Sequence, residues 1–180
     1  MRKIFTTLFG GLGIFIIVGS GAPFSWLAQA FETGASLESL AQEFHNPKDL
    51  AHFMWRHFQF DYDQNQFGQE EYWQSPEELL ANRNGDCEDF AIFAHEILKY
   101  MGQPSVILSI YGDRFSHAVC IFKHGGEYQI FDGASLVKSK AGSLTELTSE
   151  IYPFWKKIAI VSPVSGSHEG KILQEFNRKA

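Results

Sequence analysis

A change of period divides the chain. Up to Tyr100 the apolar residues recur at helical spacing, and beyond Pro104 they alternate as strands do. Leu37, Leu40, Ala41 and Phe44 form one helical stripe within 36–44. Leu50, Phe53, Met54 and Phe58 form a second, opened by Asn46 as N-cap and Pro47 at the first helical position. Ser75-Pro76-Glu77-Glu78 is a capping box that starts a short helix running to about Ala81. Phe90, Ala91, Ala94, Ile97 and Leu98 predict a longer helix over 87–100, stopped by Gly102. Strands are expected at 105–111, 118–123, 128–131 and 158–161, with a helix over 143–151 before the last. Helices first and strands afterwards argue for an α+β domain built on an antiparallel sheet.

At 180 residues the chain suits one domain with a proper core. Its net charge is −6, with no basic stripe, which excludes a nucleic-acid surface. Arg2 and Lys3 precede an apolar run over 4–18, the pattern of an export signal. Two cleavage sites compete, Val18-Gly19-Ser20 and Ala28-Gln29-Ala30; if neither is cut, 4–27 is just long enough to anchor the protein in a bilayer. Residues 1–30 are therefore assigned as a signal peptide or N-terminal membrane anchor, 31–162 as the domain and 163–180 as a polar tail. The protein is expected in the periplasm or secreted, tethered to the membrane where the segment stays uncut.

One of only two cysteines follows the turn-forming pair Asn84-Gly85, at the mouth of the 87–100 helix. Unpaired backbone N–H groups there favour a thiolate and can also receive an oxyanion. Cys87 therefore reads as a nucleophile. In an exported chain, a disulfide to Cys120 is the competing reading.

A cysteine nucleophile needs a base, and the base needs an orienting partner. A hairpin centred on Gly125-Gly126 pairs residues whose numbers sum to 251, so Val119 faces Asp132 and Cys120 faces Phe131. His117 shares the parity of Val119, which makes Asp132 its diagonal neighbour on one sheet face, within hydrogen-bond reach. Cys120 has the opposite parity. With Cys87 against His117, it is left as an inert buried thiol. Asp61 and Asp63 bracket Tyr62 but lack the Gly and the terminal Glu of an EF-hand loop, so no calcium loop is read there.

Taken in order, Gly85-Asp86-Cys87-Glu88-Asp89-Phe90-Ala91, Ser116-His117-Ala118-Val119 and Ile130-Phe131-Asp132-Gly133 resemble the bacterial transglutaminase-like cysteine peptidases. These belong to the wider transglutaminase-like superfamily, and the resemblance covers 46–133. It implies a papain-like α+β core, with the cysteine at a helix N-terminus packed on an antiparallel sheet that carries His and Asp. It also implies Cys87 as nucleophile, His117 as general base and acid, and Asp132 as the residue orienting the histidine. The implied reaction is hydrolysis of peptide amides through a thioester, on a protein or peptide substrate. An acyltransferase would use the same triad, and a non-catalytic binding module with this fold is the remaining alternative.

The triad calls for no cofactor. Periplasmic members that release surface adhesins, however, carry an Asp-Cys-Glu motif whose acids bind calcium. Asp86-Cys87-Glu88 matches it, implying Asp86 and Glu88 as calcium ligands. Two carboxylates alone are an incomplete calcium site, and helix capping by Asp86 and Asp89 is the alternative. Family members often complete the oxyanion hole with an upstream side chain, for which Gln59, Tyr72 and Trp73 are the candidates beside the backbone N–H of Cys87.

Overall fold

The computed structural model describes residues 36–164 and 170–178. The helical part runs α1 (Leu37–Ala41), α2 (Pro47–His57), α3 (Asp63–Gln66), α4 (Pro76–Asn82) and α5 (Cys87–Tyr100). A two-residue parallel bridge, β1 (Gln59–Phe60) with β2 (Asn84–Gly85), is laid among them. The sheet follows: β3 (Ser105–Tyr111), β4 (Ser116–His124), β5 (Glu127–Asp132), β6 (Ser135–Ser139), β7 (Lys157–Ser162) and β8 (Lys171–Asn177), with α6 (Leu144–Ile151) before β7. Its order is β6-β5-β4-β3-β7-β8, every pair antiparallel. The expected α+β class and antiparallel sheet are what the chain forms.

Local chemistry fixes the helix ends. Asn46 caps α2 through Lys48 N–H at 2.9 Å, with Pro47 at the first position. Ser75 and Glu78 exchange the two bonds of a capping box, at 3.2 and 2.7 Å. α5 is the central element. Phe90, Phe93, Ala94, Ile97 and Leu98 are all buried, and the helix lies across β3, β4 and β5.

The sheet separates two apolar layers. Ala118, Cys120, Phe122 and Phe131 join the helices in one, while Val119, Ile121 and Ile130 meet Leu147 and Trp155 in the other. The β4–β5 ladder pairs Cys120 with Phe131 and Ile121 with Ile130, the register the Gly125-Gly126 hairpin demands.

Several segments differ from the sequence expectation. Asn84-Gly85 is not a free turn; it pairs with β1. Helix α1 ends at Ala41, short of Phe44. The sheet has two further strands at its edges, the five-residue β6 and the almost wholly exposed β8, neither with the alternating burial that marks a strand in sequence. β8 lies within the segment 163–180 read as a polar tail, so that stretch is not wholly a tail. The assignment of 1–30 falls outside the described residues. Among the described residues, no helix is long and apolar enough to cross a membrane.

Candidate active site

Gly85 delivers the chain to Cys87 where there is no room for a side chain. A Cβ on Gly85 would come within 2.7 Å of both Asp89 Oδ2 and Leu79 Cδ1. Asp89, on the first turn of α5, is the hub of this corner. Its carboxylate accepts from Gln74 N at 2.8 Å, Gln74 Nε2 at 2.6 Å and Asp86 N at 3.2 Å. Gln74 Nε2 also reaches Asn84 O at 2.9 Å. The expected N-cap position of Asp86 and the capping role of Asp89 are thus both occupied. The part of Gln74 had no signature in sequence, since it depends on a fold-back across the turn.

Cys87 is the first residue of α5 and is half-buried. Its thiol donates to Glu88 Oε2 at 3.1 Å, and the Ala118 backbone N–H points at the sulfur. Burial, then the neighbouring charge of Glu88, pushes the thiol pKa far up. Both cysteines are free. Cys120 lies on the face under α5, in the same layer against which Cys87 packs. Sheet parity is therefore not what separates them. Cys87 sits at Ala118, two residues along the strand, which puts Cys120 roughly 7 Å deeper.

His117 and Asp132 meet as the strand arithmetic requires. His117 Nε2 lies 2.8 Å from Asp132 Oδ1. That bond, with a second from Tyr152, holds the Asp132 pKa below its usual range. With Asp132 ionised, Nε2 carries the proton and Nδ1 is left as the basic nitrogen. Cys87 and His117 border one cleft of about 450 Å³, walled by Trp73, Phe60 and Tyr62 and by Glu70 and Glu71. Asp132 stands behind the imidazole, outside the lining.

Of the three upstream oxyanion candidates, Tyr72 turns its hydroxyl to Glu78 Oε1 at 3.0 Å and Gln59 does not line the cleft. Trp73 does line it, and its buried indole Nε1 has no partner. Gly170 lies against the ring of Trp73, where a Cβ would come within 2.5 Å.

The acidic residues do more than cap. Asp63, Asp86, Glu88 and Asp89 are all buried, and Asp63 groups with Asp86 and Asp89, and with Glu71 and Glu88, within 4.8 Å. Burial pushes Asp63 up to about 6 and Asp89 up to about 7. Desolvation and mutual repulsion raise the Asp86–Glu88 pair as well. Asp63 Oδ1, Asp86 Oδ1 and Glu88 Oε1 have no hydrogen-bond partner. Each such orphan costs about 1–3 kcal/mol or more, a cost that a proton or a bound cation would offset. Hard carboxylate oxygens from several chain segments are the donor set calcium takes. Asp86 and Glu88 thus fit the ligand role expected of them, and Asp63 lies within reach of each of them as a third carboxylate. Asp63 has no EF-hand pattern around it in sequence; the chain leaving the β1–β2 bridge brings it there.

A family model described as a transglutaminase-like domain matches residues 37–150. Among solved structures, calcium-bound LapG of Legionella pneumophila is similar at 21% identity and a TM-score of 0.45, covering 70% of this chain and 80% of that one. A provisionally named cysteine protease of Cytophaga hutchinsonii is similar at 16% identity and a TM-score of 0.45, over 80% of this chain and 51% of that one. A TGase is similar at 12% identity and a TM-score of 0.43, over 76% and 40%. No curated protein matches the chain.

Proposed function

The chain belongs to the transglutaminase-like domain family, and on that footing we propose that it is an exported cysteine peptidase acting on peptide amides. The observation that carries this is the shared cleft. Cys87 and His117 border the same space, and Asp132 is bonded to the far side of the imidazole at 2.8 Å. In the reaction His117 Nδ1 takes the thiol proton and the sulfur attacks the amide carbonyl carbon. The oxyanion forms beside the free backbone N–H of Cys87, at the first turn of α5. The tetrahedral adduct collapses as imidazolium Nδ1–H protonates the departing amine, leaving a thioester on Cys87. Water then attacks the thioester carbonyl, His117 takes its proton, and return of that proton to sulfur releases the acid. Asp132 stays ionised and holds the ring throughout.

Asp63, Asp86 and Glu88 would hold a calcium ion, which supplies positive charge against their carboxylates. The basic n-region and apolar run at 2–18 support a domain that works beyond the cytoplasmic membrane.

The test is a thiol-directed activity probe on the parent, Cys87→Ala and Cys120→Ala, with and without calcium. Labelling lost only in Cys87→Ala is expected; labelling that follows Cys120, or none at all, overturns the proposal. Products from peptide libraries supplied with added amines then distinguish hydrolysis from acyl transfer.

A further inference from the structure

Asp132 has two carboxylate oxygens, and the bond to His117 accounts for one. The other, Oδ2, accepts from the Tyr152 hydroxyl at 2.6 Å. Tyr152 stands at the end of α6, where its backbone N–H closes the helix on Thr148 O at 2.8 Å. Its own carbonyl accepts from Trp155 N–H at 3.1 Å, and Trp155 is buried. The tyrosine is therefore fixed from both sides along the chain. Its ring lies against the imidazole of His117, centroids 5.5 Å apart and planes tilted by 60°. One side chain thus touches both members of the pair.

A carboxylate bonded through one oxygen can still swing about its last torsion, which has no sharp preference. A second charge-assisted bond from a fixed hydroxyl removes that freedom. We propose that Tyr152 is a positioning residue, locking the Asp132 carboxylate so that Oδ1 stays on His117 Nε2 and Nδ1 stays turned to the cleft. The inference rests on the Cys87–His117–Asp132 reading above. It adds a fourth member drawn from a different element, beyond the stretch in which the motifs lie.

The experiment uses the full chain carrying Cys120→Ala, so that Cys87 is the only thiol. Its alkylation rate by iodoacetamide at one neutral pH is compared for the parent, Tyr152→Phe, Asp132→Ala and the double variant. Tyr152→Phe keeps the ring and removes only the hydroxyl, and should slow alkylation roughly tenfold, the size of a lost hydrogen bond to a charged group. Asp132→Ala should slow it at least as much, and the double variant no further, because Tyr152 acts through Asp132. Proton NMR provides a second readout: the hydrogen-bonded imidazole proton at His117 Nε2, absent in Asp132→Ala, should broaden or vanish in Tyr152→Phe. Additive losses in the double variant overturn the proposal. A parental rate with a sharp resonance in Tyr152→Phe, while Asp132→Ala is slow, overturns it and leaves the triad standing. A parental rate in Asp132→Ala removes the triad and this inference together.

Discussion

The Cys87 thiol donates a hydrogen bond to Glu88 Oε2, 3.1 Å away on the next residue. A carboxylate in that place opposes ionisation of the sulfur, while the helix N-terminus and the Ala118 N–H favour it. Glu88→Gln keeps the shape and removes the charge. Burial and the Asp86 carboxyl push Glu88 up to about 10, so the thiol pKa should fall and alkylation of Cys87 in chelator should rise roughly three- to tenfold above about pH 10, where Glu88 is ionised. An unchanged or slower rate in that variant would show that Glu88 does not restrain the thiol.

Titration calorimetry checks directly whether the acidic cluster takes calcium. The parent should bind calcium with a measurable heat, and Asp63→Asn should weaken binding by roughly tenfold or more, since ligand charge sets affinity in such sites. Equal affinity in Asp63→Asn would remove Asp63 from the ligand set.

The buried acids also fix the sign of a pH effect. Asp63 and Asp89 titrate at about 6 and about 7 in the fold, against an ordinary 3.8. A raised folded pKa means that the native state holds protons the unfolded chain has already released. The stability these two groups contribute is then full below about pH 4 and is lost as pH rises through about 7. In chelator the melting temperature should fall across that window. Calcium should flatten the fall by compensating the charge, and a melting temperature that climbs with pH in chelator would contradict this account.

Gly85→Ala should be costly out of proportion to one methyl group. The new Cβ would meet Asp89 and Leu79 at 2.7 Å, and both are buried. Displacing Asp89 breaks the bonds to Gln74 and Asp86, so a loss of about 2–4 kcal/mol is expected by denaturant unfolding. Cys87 alkylation should change as well, because the same corner sets the start of α5.

Cys120→Ala separates the two thiols. Cys120 is fully buried beneath α5, where burial pushes its thiol up to about 12. The variant should lose about 1 kcal/mol of stability and leave the alkylation rate of Cys87 as in the parent.

Much of this site could be read from the chain itself because it obeys short-range rules. The 87–100 helix follows from its apolar stripe and its Gly stop. The His117–Asp132 contact follows from a hairpin whose turn residues set the register. Several contacts between elements that no single turn links are not legible in this way. Asp63 joins Asp86 through a two-residue bridge, Gln74 reaches Asp89 across the turn, and Tyr152 returns to Asp132 from the end of another helix. Cys120 shows a subtler gap. Parity gave its strand partner, but which face the helices would cover is decided by packing, and they cover the side of Ala118 and Cys120.

The β1–β2 bridge is only two residue pairs long, held by Gln59 N to Arg83 O at 2.8 Å and Asp61 N to Gly85 O at 3.0 Å. A ladder that short has little stability of its own. Yet it suspends the stretch carrying Phe60, Tyr62 and Asp63 along one side of the cleft. Ionising the acidic pocket should therefore loosen that side. With Asp63 ionised and uncompensated, the amides of Gln59 and Asp61 should trade hydrogen for deuterium well before those of β3 and β4. Filling the pocket should slow their exchange without altering that of the sheet.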